Sequence, residues 1–157
     1  LDICPTHAFP APHILDSNLC LSYLTIELKG AIPEPLRPKL GNWIYGCDEC
    51  QSVCPWVHRY SRPNDRPFLK ADPHLMAPSL LELMSLDDEG FRKWFRGTPM
   101  KRTKRRGVLR NVAVALGNWG HPDAIPALER GVQDEEPLVR EHAAWALKQI
   151  LNGGSAA

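Results

Sequence analysis

The positions of the cysteines constrain this 157-residue chain more than any other feature. All five cysteines fall within residues 1–54, and three of them stand close together in the stretch "YGCDECQSVCPW" (45–56). A disulfide scaffold is typically a short domain with evenly paired cysteines throughout, whereas this chain has an odd number of them at one end. We therefore expect reduced thiols that hold a metal centre.

The spacing within that stretch is typical of an iron–sulfur protein. Two-cluster ferredoxins carry the motif C-x2-C-x2-C-x3-C-P, in which three thiolates hold one [4Fe-4S] cluster and the last one crosses to the other cluster. Cys47, Cys50 and Cys54-Pro55 match the second to fourth cysteines of this motif, and Ile44 stands where the first would be.

A second Cys-Pro pair completes the ligand assignment. Cys4-Pro5 matches only the end of such a motif, and we expect its leading cysteines upstream of Leu1. By the crossing rule, Cys4 joins the cluster held by the C-x2-C pair, and Cys20 is the remaining cysteine that can complete it. The predicted ligands of this inner cluster are Cys4, Cys20, Cys47 and Cys50. Cys54 is then the predicted ligand of a second, outer cluster.

A zinc site is the alternative that the pattern leaves open. Four cysteines can bind one zinc ion. Zinc ribbons usually carry two C-x2-C pairs, however, and this chain has one, together with two Cys-Pro pairs that only the iron–sulfur motif explains. The spacing therefore favours iron–sulfur clusters.

The chain divides into regions of different composition. Residues 1–60 hold the cysteines and predict a loop-rich, ferredoxin-like α+β domain. Residues 61–78 contain four prolines without periodicity and predict a linker. Residues 79–152 predict short amphipathic helices stacked as in a HEAT-type repeat, and residues 153–157 predict a disordered tail. The predicted fold class is mainly α.

The helical region contains several start and stop signals. Ser79 followed by Glu82 has the pattern of a capping box, and a second short helix is predicted over about 87–95. A longer amphipathic helix follows, which Gly117 and Gly120 are predicted to end.

Some side chains in this region have both a functional and a structural interpretation. His142 lies on the apolar face of the last predicted helix, and we expect a hydrogen-bonded core residue there rather than a ligand. Trp94 and Phe95 could stack on an RNA base, but the helix core is favoured.

Basic residues are concentrated between Arg92 and Arg110. Five of the six residues from Lys101 to Arg106 are basic, although the whole chain has a net charge of only +1. Grouped Lys and Arg side chains favour contact with nucleic-acid phosphates, which positions RNA without reading its sequence. Residues 98–106 are predicted to form a loop that enters a helix N-terminus, where backbone N–H groups also favour phosphate. A solvated basic surface is the alternative.

Three stretches of the chain resemble one known family. They are "LDICPTHAF" (1–9), "CLSYLTIELKGAIPEPLRPKLGNWIYGCDECQSVCPW" (20–56) and "GTPMKRTKRRGVLRNVAVALGN" (97–118), and the resemblance extends from Leu1 to about Leu151. On these motifs the chain is similar to the C-terminal portion of the epoxyqueuosine reductases. The resemblance implies a cobalamin-dependent iron–sulfur oxidoreductase that converts epoxyqueuosine to queuosine at the tRNA wobble position.

The resemblance also implies roles for individual residues. It gives the five cysteines the same cluster assignments as the spacing does. Ser22 and Asp48 are expected near the cobalamin, and Lys29 near the tRNA. Further tRNA contacts are expected from the basic run, at Lys101, Arg102, Lys104, Arg105 and Arg106. No catalytic residue is expected in this chain, since the family places it in an N-terminal cobalamin domain, and this portion alone is expected to be inactive.

Cofactors, partners and location follow from the same resemblance. The full-length protein is expected to bind two [4Fe-4S] clusters and cobalamin, and to interact with tRNA and an electron donor. A cytoplasmic monomer is expected, and the sequence has no apolar run long enough to span a membrane. Four apolar side chains are expected to cover the inner cluster, namely Trp43, Ile44, Val53 and Trp56, and the core of a small domain is the equal alternative for the aromatic ones.

Two other functions remain open from the sequence. One is a standalone ferredoxin-like electron carrier fused to a protein-binding helical repeat. The other is a zinc-ribbon module that binds RNA without a redox role.

Overall fold

The computed structural model describes residues 2–62 and 77–153, which are mainly helical. The cysteine-bearing region is a series of turns interrupted by short helices. These are α1 (Leu21–Ile26), 3-10 turns at Glu34–Leu36 and Pro38–Leu40, α2 (Glu49–Ser52) and α3 (Pro55–Tyr60). The strand content expected of an α+β domain is reduced, within the described residues, to one isolated bridge between Ala11 and Ile14.

The second region is a stack of helices, as predicted. Its elements are α4 (Leu80–Met84), α5 (Asp88–Trp94), a 3-10 turn (Pro99–Thr103), α6 (Lys104–Trp119), a 3-10 turn (Pro122–Ala124), α7 (Ile125–Val132) and α8 (Pro137–Gly153). Helices α6 and α8 pack along each other, α7 packs on α8, and α4 packs on α6. The predicted mainly α fold is therefore confirmed.

The helix signals have mixed outcomes. Asp87 caps α5 by accepting a hydrogen bond from Gly90 N at 2.7 Å. Ser79 occupies the N-cap position of α4, but its side chain makes no capping hydrogen bond, so the predicted capping box is not formed. Gly120 ends α6 in the left-handed conformation, with φ 71° and ψ 6°.

Gly117 does not end α6, contrary to the prediction. It lies inside the helix, where α6 approaches α8 most tightly. A β-carbon at this position would lie 2.8 Å from Ala146 Cα and 2.9 Å from the Trp145 ring. The glycine is therefore explained by close helix packing rather than by helix termination.

One hydrophobic core joins the two regions. Leu21, Leu24, Ile32 and Leu40 of the cysteine-bearing region belong to the same buried cluster as the apolar faces of α4 to α8. The two predicted domains thus share their interior. Most of the predicted linker (63–76) and most of the predicted tail (154–157) lie outside the described residues.

His142 is a core residue, as predicted. Its side chain is fully buried, Nε2 accepts a hydrogen bond from Ile32 N at 3.1 Å, and Nδ1 donates to Leu138 O at 2.7 Å. Burial, with a smaller contribution from the nearby Arg37, lowers the pKa of His142 to about 4 against the opposing effect of the Leu138 carbonyl. The imidazole is therefore neutral at physiological pH and ties the cysteine-bearing region to α8.

The tight approach at Gly117 predicts a stability defect. Gly117→Val should lower the free energy of unfolding by about 1–3 kcal/mol, because the added atoms would overlap the backbone of α8. Gly30→Val is the matched control, since a β-carbon there has no neighbour within 4 Å. Chemical denaturation of the two variants measures the difference. Equal stability of the two would contradict the packing argument.

The buried His142 predicts a specific pH dependence. Since its folded pKa of about 4 lies below the ordinary 6.5, its contribution is complete above pH 6.5 and is lost as the pH falls through about 4. The full loss is about 3 kcal/mol, at about 1.4 kcal/mol per pKa unit. His142→Gln should flatten the stability profile in this range.

Denaturation at a series of pH values measures the effect. His121→Gln is the control, because His121 is exposed. A profile of the His142→Gln protein that remains as steep as that of the wild type would show that another group is responsible.

Candidate iron–sulfur site and basic surface

Four of the five cysteines line one cavity. The cavity has a volume of about 70 Å³ and lies between the N-terminal turns, the start of α1 and the loop that enters α2. Its thiol lining is Cys4, Cys20, Cys47 and Cys50. The rest of the lining is mostly apolar, from Pro5, Ala8, Phe9, Leu15 and Leu21, with Glu49. The structure thus brings together the four residues that were predicted to share a cluster.

Backbone N–H groups surround the thiol of Cys4. Ala8 N donates to Cys4 Sγ at 3.3 Å, and the Thr6 hydroxyl lies 3.4 Å from the same sulfur. Burial raises the pKa of the Cys4 thiol, but the hydrogen bonds from Thr6, Ala8 and His7 outweigh this effect and lower the pKa below its ordinary value. These donors favour the thiolate, which is the form that binds metal.

The remaining cavity thiols are placed by helix starts. Cys20 is the N-cap of α1, and Cys47 and Cys50 flank the start of α2. Burial raises the pKa of Cys47 and the neighbouring Glu49 charge adds to this, against the opposing effect of a hydrogen bond from the Glu49 backbone N–H. A bound metal would favour the thiolate instead.

Zinc is the alternative centre for these four thiols. Within residues 2–62 and 77–153, no group of three or more His, Cys, Asp or Glu side chains is arranged to hold a single metal ion. Four thiolates on one zinc would lie about 3.8 Å apart, because each Zn–S bond in the tetrahedron is about 2.3 Å long. Four cysteines that line one cavity could hold either centre, and the spacing of the two Cys-Pro motifs favours the iron–sulfur cluster.

Cys54 lies apart from this cavity. It is half-buried at the N-cap of α3, and its neighbours Val53 and Trp56 are 49% and 69% exposed. These two side chains were expected to cover the inner cluster, together with Trp43 and Ile44, and the alternative for the aromatic ones was the core of a small domain. None of the four lines the cavity, because Trp43 and Ile44 pack against the helical core instead.

Helix α6 contributes polar side chains that the sequence motifs do not predict to lie near the cysteines. Asn111 Nδ2 donates to Thr25 O and to Ile44 O, each at 2.8 Å, and Thr25 Oγ1 accepts from Gly46 N at 2.9 Å. Arg110 was counted in the basic run, but its side chain is fully buried beside Asn111. The signal for both was present in the sequence, as two adjacent polar residues within the apolar stretch 108–116.

Part of the basic run forms an exposed surface next to α1. Lys29, Lys101, Arg102 and Lys104 are exposed, and Arg106 is half-buried. Residues 98–106 form the predicted entry into a helix, as the 3-10 turn followed by α6. We call the exposed residues of this turn and helix start the basic surface: Lys101, Arg102 and Lys104.

Three contacts hold this turn against the cysteine-bearing region. Tyr45 Oη donates to Pro99 O at 3.0 Å, and Arg102 pairs with Glu27 at 2.8 Å. Thr103 Oγ1 donates to Ile26 O at 3.4 Å. The basic surface therefore adjoins the elements that carry Cys20 and Cys47.

Arg105 forms an internal ion pair with Asp134. Its two terminal nitrogens donate to the Asp134 carboxylate at 3.1 and 2.5 Å, and Nε donates to Leu86 O at 2.7 Å. The hydrogen bond to Asp134 raises the pKa of Arg105 further. Its predicted tRNA contact stays a prediction, but this geometry gives it a structural role, in fastening α6 to the α7–α8 connection.

The other predicted site residues have simpler surroundings. Ser22 is half-buried on α1, and Asp48 is exposed at the N-cap of α2. Phe95 is fully buried and Trp94 packs against the core, which agrees with the interpretation as helix core.

No helix in the described parts of the chain combines the length and apolarity that a membrane span requires.

Comparisons with known proteins agree with the division of the chain into a cysteine-bearing region and a helical region. Residues 1–57 match the family of 4Fe-4S double cluster binding domains, and residues 101–157 match HEAT repeats. The chain is 45% identical to the epoxyqueuosine reductase of Xanthomonas campestris pv. campestris over 150 residues, which is 95% of this chain and 42% of that protein. It is 46% identical to the Escherichia coli K12 epoxyqueuosine reductase over 151 residues, which is 96% of this chain and 40% of that protein.

Solved structures of epoxyqueuosine reductases also match this chain. Epoxyqueuosine reductase from Bacillus subtilis matches 96% of this chain with a TM-score of 0.86 and 34% identity. The resemblance to the epoxyqueuosine reductase family is confirmed. An epoxyqueuosine reductase in complex with an epoxyqueuosine-modified tRNA stem loop matches with a TM-score of 0.87, also at 34% identity. The chain spans about 40% of the length of each of these reductase structures.

Proposed function

We propose that this chain is the cluster-binding and tRNA-binding part of an oxidoreductase that converts epoxyqueuosine to queuosine in tRNA. One observation carries the proposal, namely that Cys4, Cys20, Cys47 and Cys50 line a single, mostly apolar cavity. The similarity to epoxyqueuosine reductases over 95% of the chain supports the choice of reaction.

In this proposal the four cavity thiolates hold a [4Fe-4S] cluster. When bound, such a cluster supplies single-electron transfer. Ala8 N and the Thr6 hydroxyl stabilise the thiolate of Cys4, and the apolar lining limits the access of water. Cys54, outside the cavity, is proposed as a ligand of the second cluster, in line with the double-cluster family that residues 1–57 match.

We include cobalamin binding in the proposal because the chain resembles the epoxyqueuosine reductases. Ser22 and Asp48 follow the cavity residues Cys20 and Cys47 closely in sequence, and both side chains are at least partly accessible. They are therefore suited to contact a large cofactor bound beside the cavity. Cobalamin, when bound, supplies a strongly reducing cobalt centre. An electron donor, a monomeric state and a cytoplasmic location are proposed on the same resemblance.

The tRNA contact is proposed for the basic surface and Lys29. A solved epoxyqueuosine reductase of the same fold is bound to a tRNA stem loop. The exposed lysine and arginine side chains lie beside the cluster-bearing elements, where the modified base would have to be presented. Contacts to phosphate would hold the RNA in place without reading its sequence.

Anaerobic reconstitution with iron and sulfide tests the cluster assignment. The wild-type chain should bind about four irons and show a broad absorption near 400 nm. Cys20→Ala and Cys47→Ala should each abolish this absorption, because each removes a cavity ligand. Cys54→Ala is the matched control and should retain both the iron and the absorption, because Cys54 lies outside the cavity.

The outcome separates the proposal from its alternatives. Stoichiometric zinc without visible absorption would support the zinc module instead. Full iron content in the Cys20→Ala protein, or its loss in the Cys54→Ala protein, would contradict the ligand assignment.

The salt dependence of tRNA binding tests the basic surface. Replacing Lys101 and Lys104 together with alanine should weaken binding and flatten the plot of log K against log salt, by about 0.7–0.9 for each phosphate that is no longer neutralised. Lys148→Ala, an exposed change on α8, should leave binding unchanged. Arg105→Gln should lower the free energy of unfolding, because it removes the ion pair with Asp134. An unchanged slope in the double variant would remove the basic surface from the proposal.

A further inference from the structure

Two buried polar side chains of α6 form hydrogen bonds to the segments next to two cavity cysteines. One segment follows Cys20, and the other precedes Cys47. Arg110 and Asn111 are each 0% exposed and lie in the middle of a helix whose other buried residues are almost all apolar. Arg110 Nε donates to Asn111 Oδ1 at 3.0 Å, so the two side chains act as one unit. Buried polar groups at such a position need a structural or functional explanation.

Asn111 joins the α1 segment to the loop before Cys47. Its amide nitrogen donates to Thr25 O in α1 and to Ile44 O in the loop. Thr25 then accepts from Gly46 N, the residue directly before Cys47. This network fixes the spacing between the segment that follows Cys20 and the segment that precedes Cys47.

Arg110 holds the carboxyl end of the same segment. Its terminal nitrogens donate to Leu24 O at 2.7 Å, Leu28 O at 2.8 Å and Gly30 O at 2.7 Å. Leu24 lies one helical turn beyond Cys20, and its N–H donates to Cys20 O at 2.9 Å. The guanidinium is thus connected to Cys20 through Leu24, whose carbonyl accepts from Arg110 and whose N–H donates to Cys20.

The charge of Arg110 has only neutral hydrogen-bond partners. Within the described residues, no carboxylate lies within ion-pair distance of its guanidinium, whereas buried Arg37 pairs with Glu141 at 2.5 Å. Burying a charge without a counter-charge is costly. A cluster with four thiolates is anionic and becomes more so on reduction, so its charge would attract the guanidinium across the helical turn from Leu24 to Cys20.

We propose that Arg110 and Asn111 are positioning residues of the iron–sulfur site, which fix the segments of Cys20 and Cys47 and place a buried positive charge that favours the reduced cluster. This inference rests on the proposed cluster in the four-cysteine cavity. Hydrogen bonding, net charge and burial are the features by which proteins set cluster potentials. The helical repeat is thereby part of the redox site as well as the carrier of the basic surface.

Cluster retention tests the positioning role of Asn111. In the reconstituted chain, Asn111→Ala should increase the rate of cluster loss to an iron chelator by up to about tenfold, the lower end of the effect of removing a direct partner of a metal ligand, because Asn111 acts through Thr25 and Ile44. Asn118→Ala is the matched control. Asn118, two turns further along α6, donates to Arg37 O and Gly41 O in a loop without cysteines. Equal rates of loss in the two variants would overturn the positioning role.

Redox titration tests the charge of Arg110. Dithionite supplies one electron per cluster, and the visible absorption and the electron paramagnetic resonance signal report the midpoint potential. Arg110→Gln should shift the midpoint to a more negative value, and Arg110→Lys, which keeps the charge, should restore a value near that of the wild type. Arg37→Gln is the control for loss of a buried arginine elsewhere.

Each outcome decides the inference. An unchanged midpoint in a folded Arg110→Gln protein that binds about four irons would overturn the role of the charge. Arg110→Met serves as a second neutral variant, and if neither neutral variant keeps the circular dichroism of the wild type, the redox role is withdrawn and residue 110 is assigned to folding alone. A wild-type chain that fails to bind iron would instead refute the proposed function itself.

Discussion

The donation of hydrogen bonds from α6 to an irregular backbone is the interaction on which this structure depends. The segments around the cavity have little regular secondary structure, so many of their carbonyl groups find no partner among themselves. Arg110 and Asn111 together supply donors to five of these carbonyls. His142 and Arg37 act in a similar way around Ile32, the first through the Ile32 N–H and the second through its carbonyl. The cysteine-bearing region is therefore shaped by the helices that it packs against.

Local patterns were sufficient to predict much of this arrangement. The motif spacing grouped the same four cysteines that line the cavity in the structure, because the expected crossing of a thiolate between clusters is a rule about short sequence motifs. Periodicity and capping residues predicted the helix that starts after Asp87, the end of α6 at Gly120 and the buried position of His142. These features depend on neighbours within a few residues, which a single sequence displays.

Features that depend on distant neighbours were not predictable in the same way. Gly117 has the composition of a helix stop, and only the approach of Ala146 from α8 explains it as a packing residue. Arg105 and Arg110 look like surface charges in a basic run, but a carboxylate 29 residues away binds one and carbonyls more than 80 residues away bind the other. Counting charges along the chain therefore overstates the area available to a polyanion. The apolar cover of the cavity was misassigned for the same reason, since Val53 and Trp56 are adjacent to a cysteine in sequence but face outward.

The common hydrophobic core has a consequence for how such a chain can be divided. Leu21, Leu24, Ile32 and Leu40 are buried against the helical stack, and the intervening carbonyls are bonded to α6. A peptide cut after residue 60 would expose these apolar side chains and carbonyls to water, because it would lack α6 and the helices that cover them. The cysteine motif and the helical stack therefore share one core, and matching the cysteine spacing alone would not reproduce the contacts that shape the cavity in a foreign scaffold.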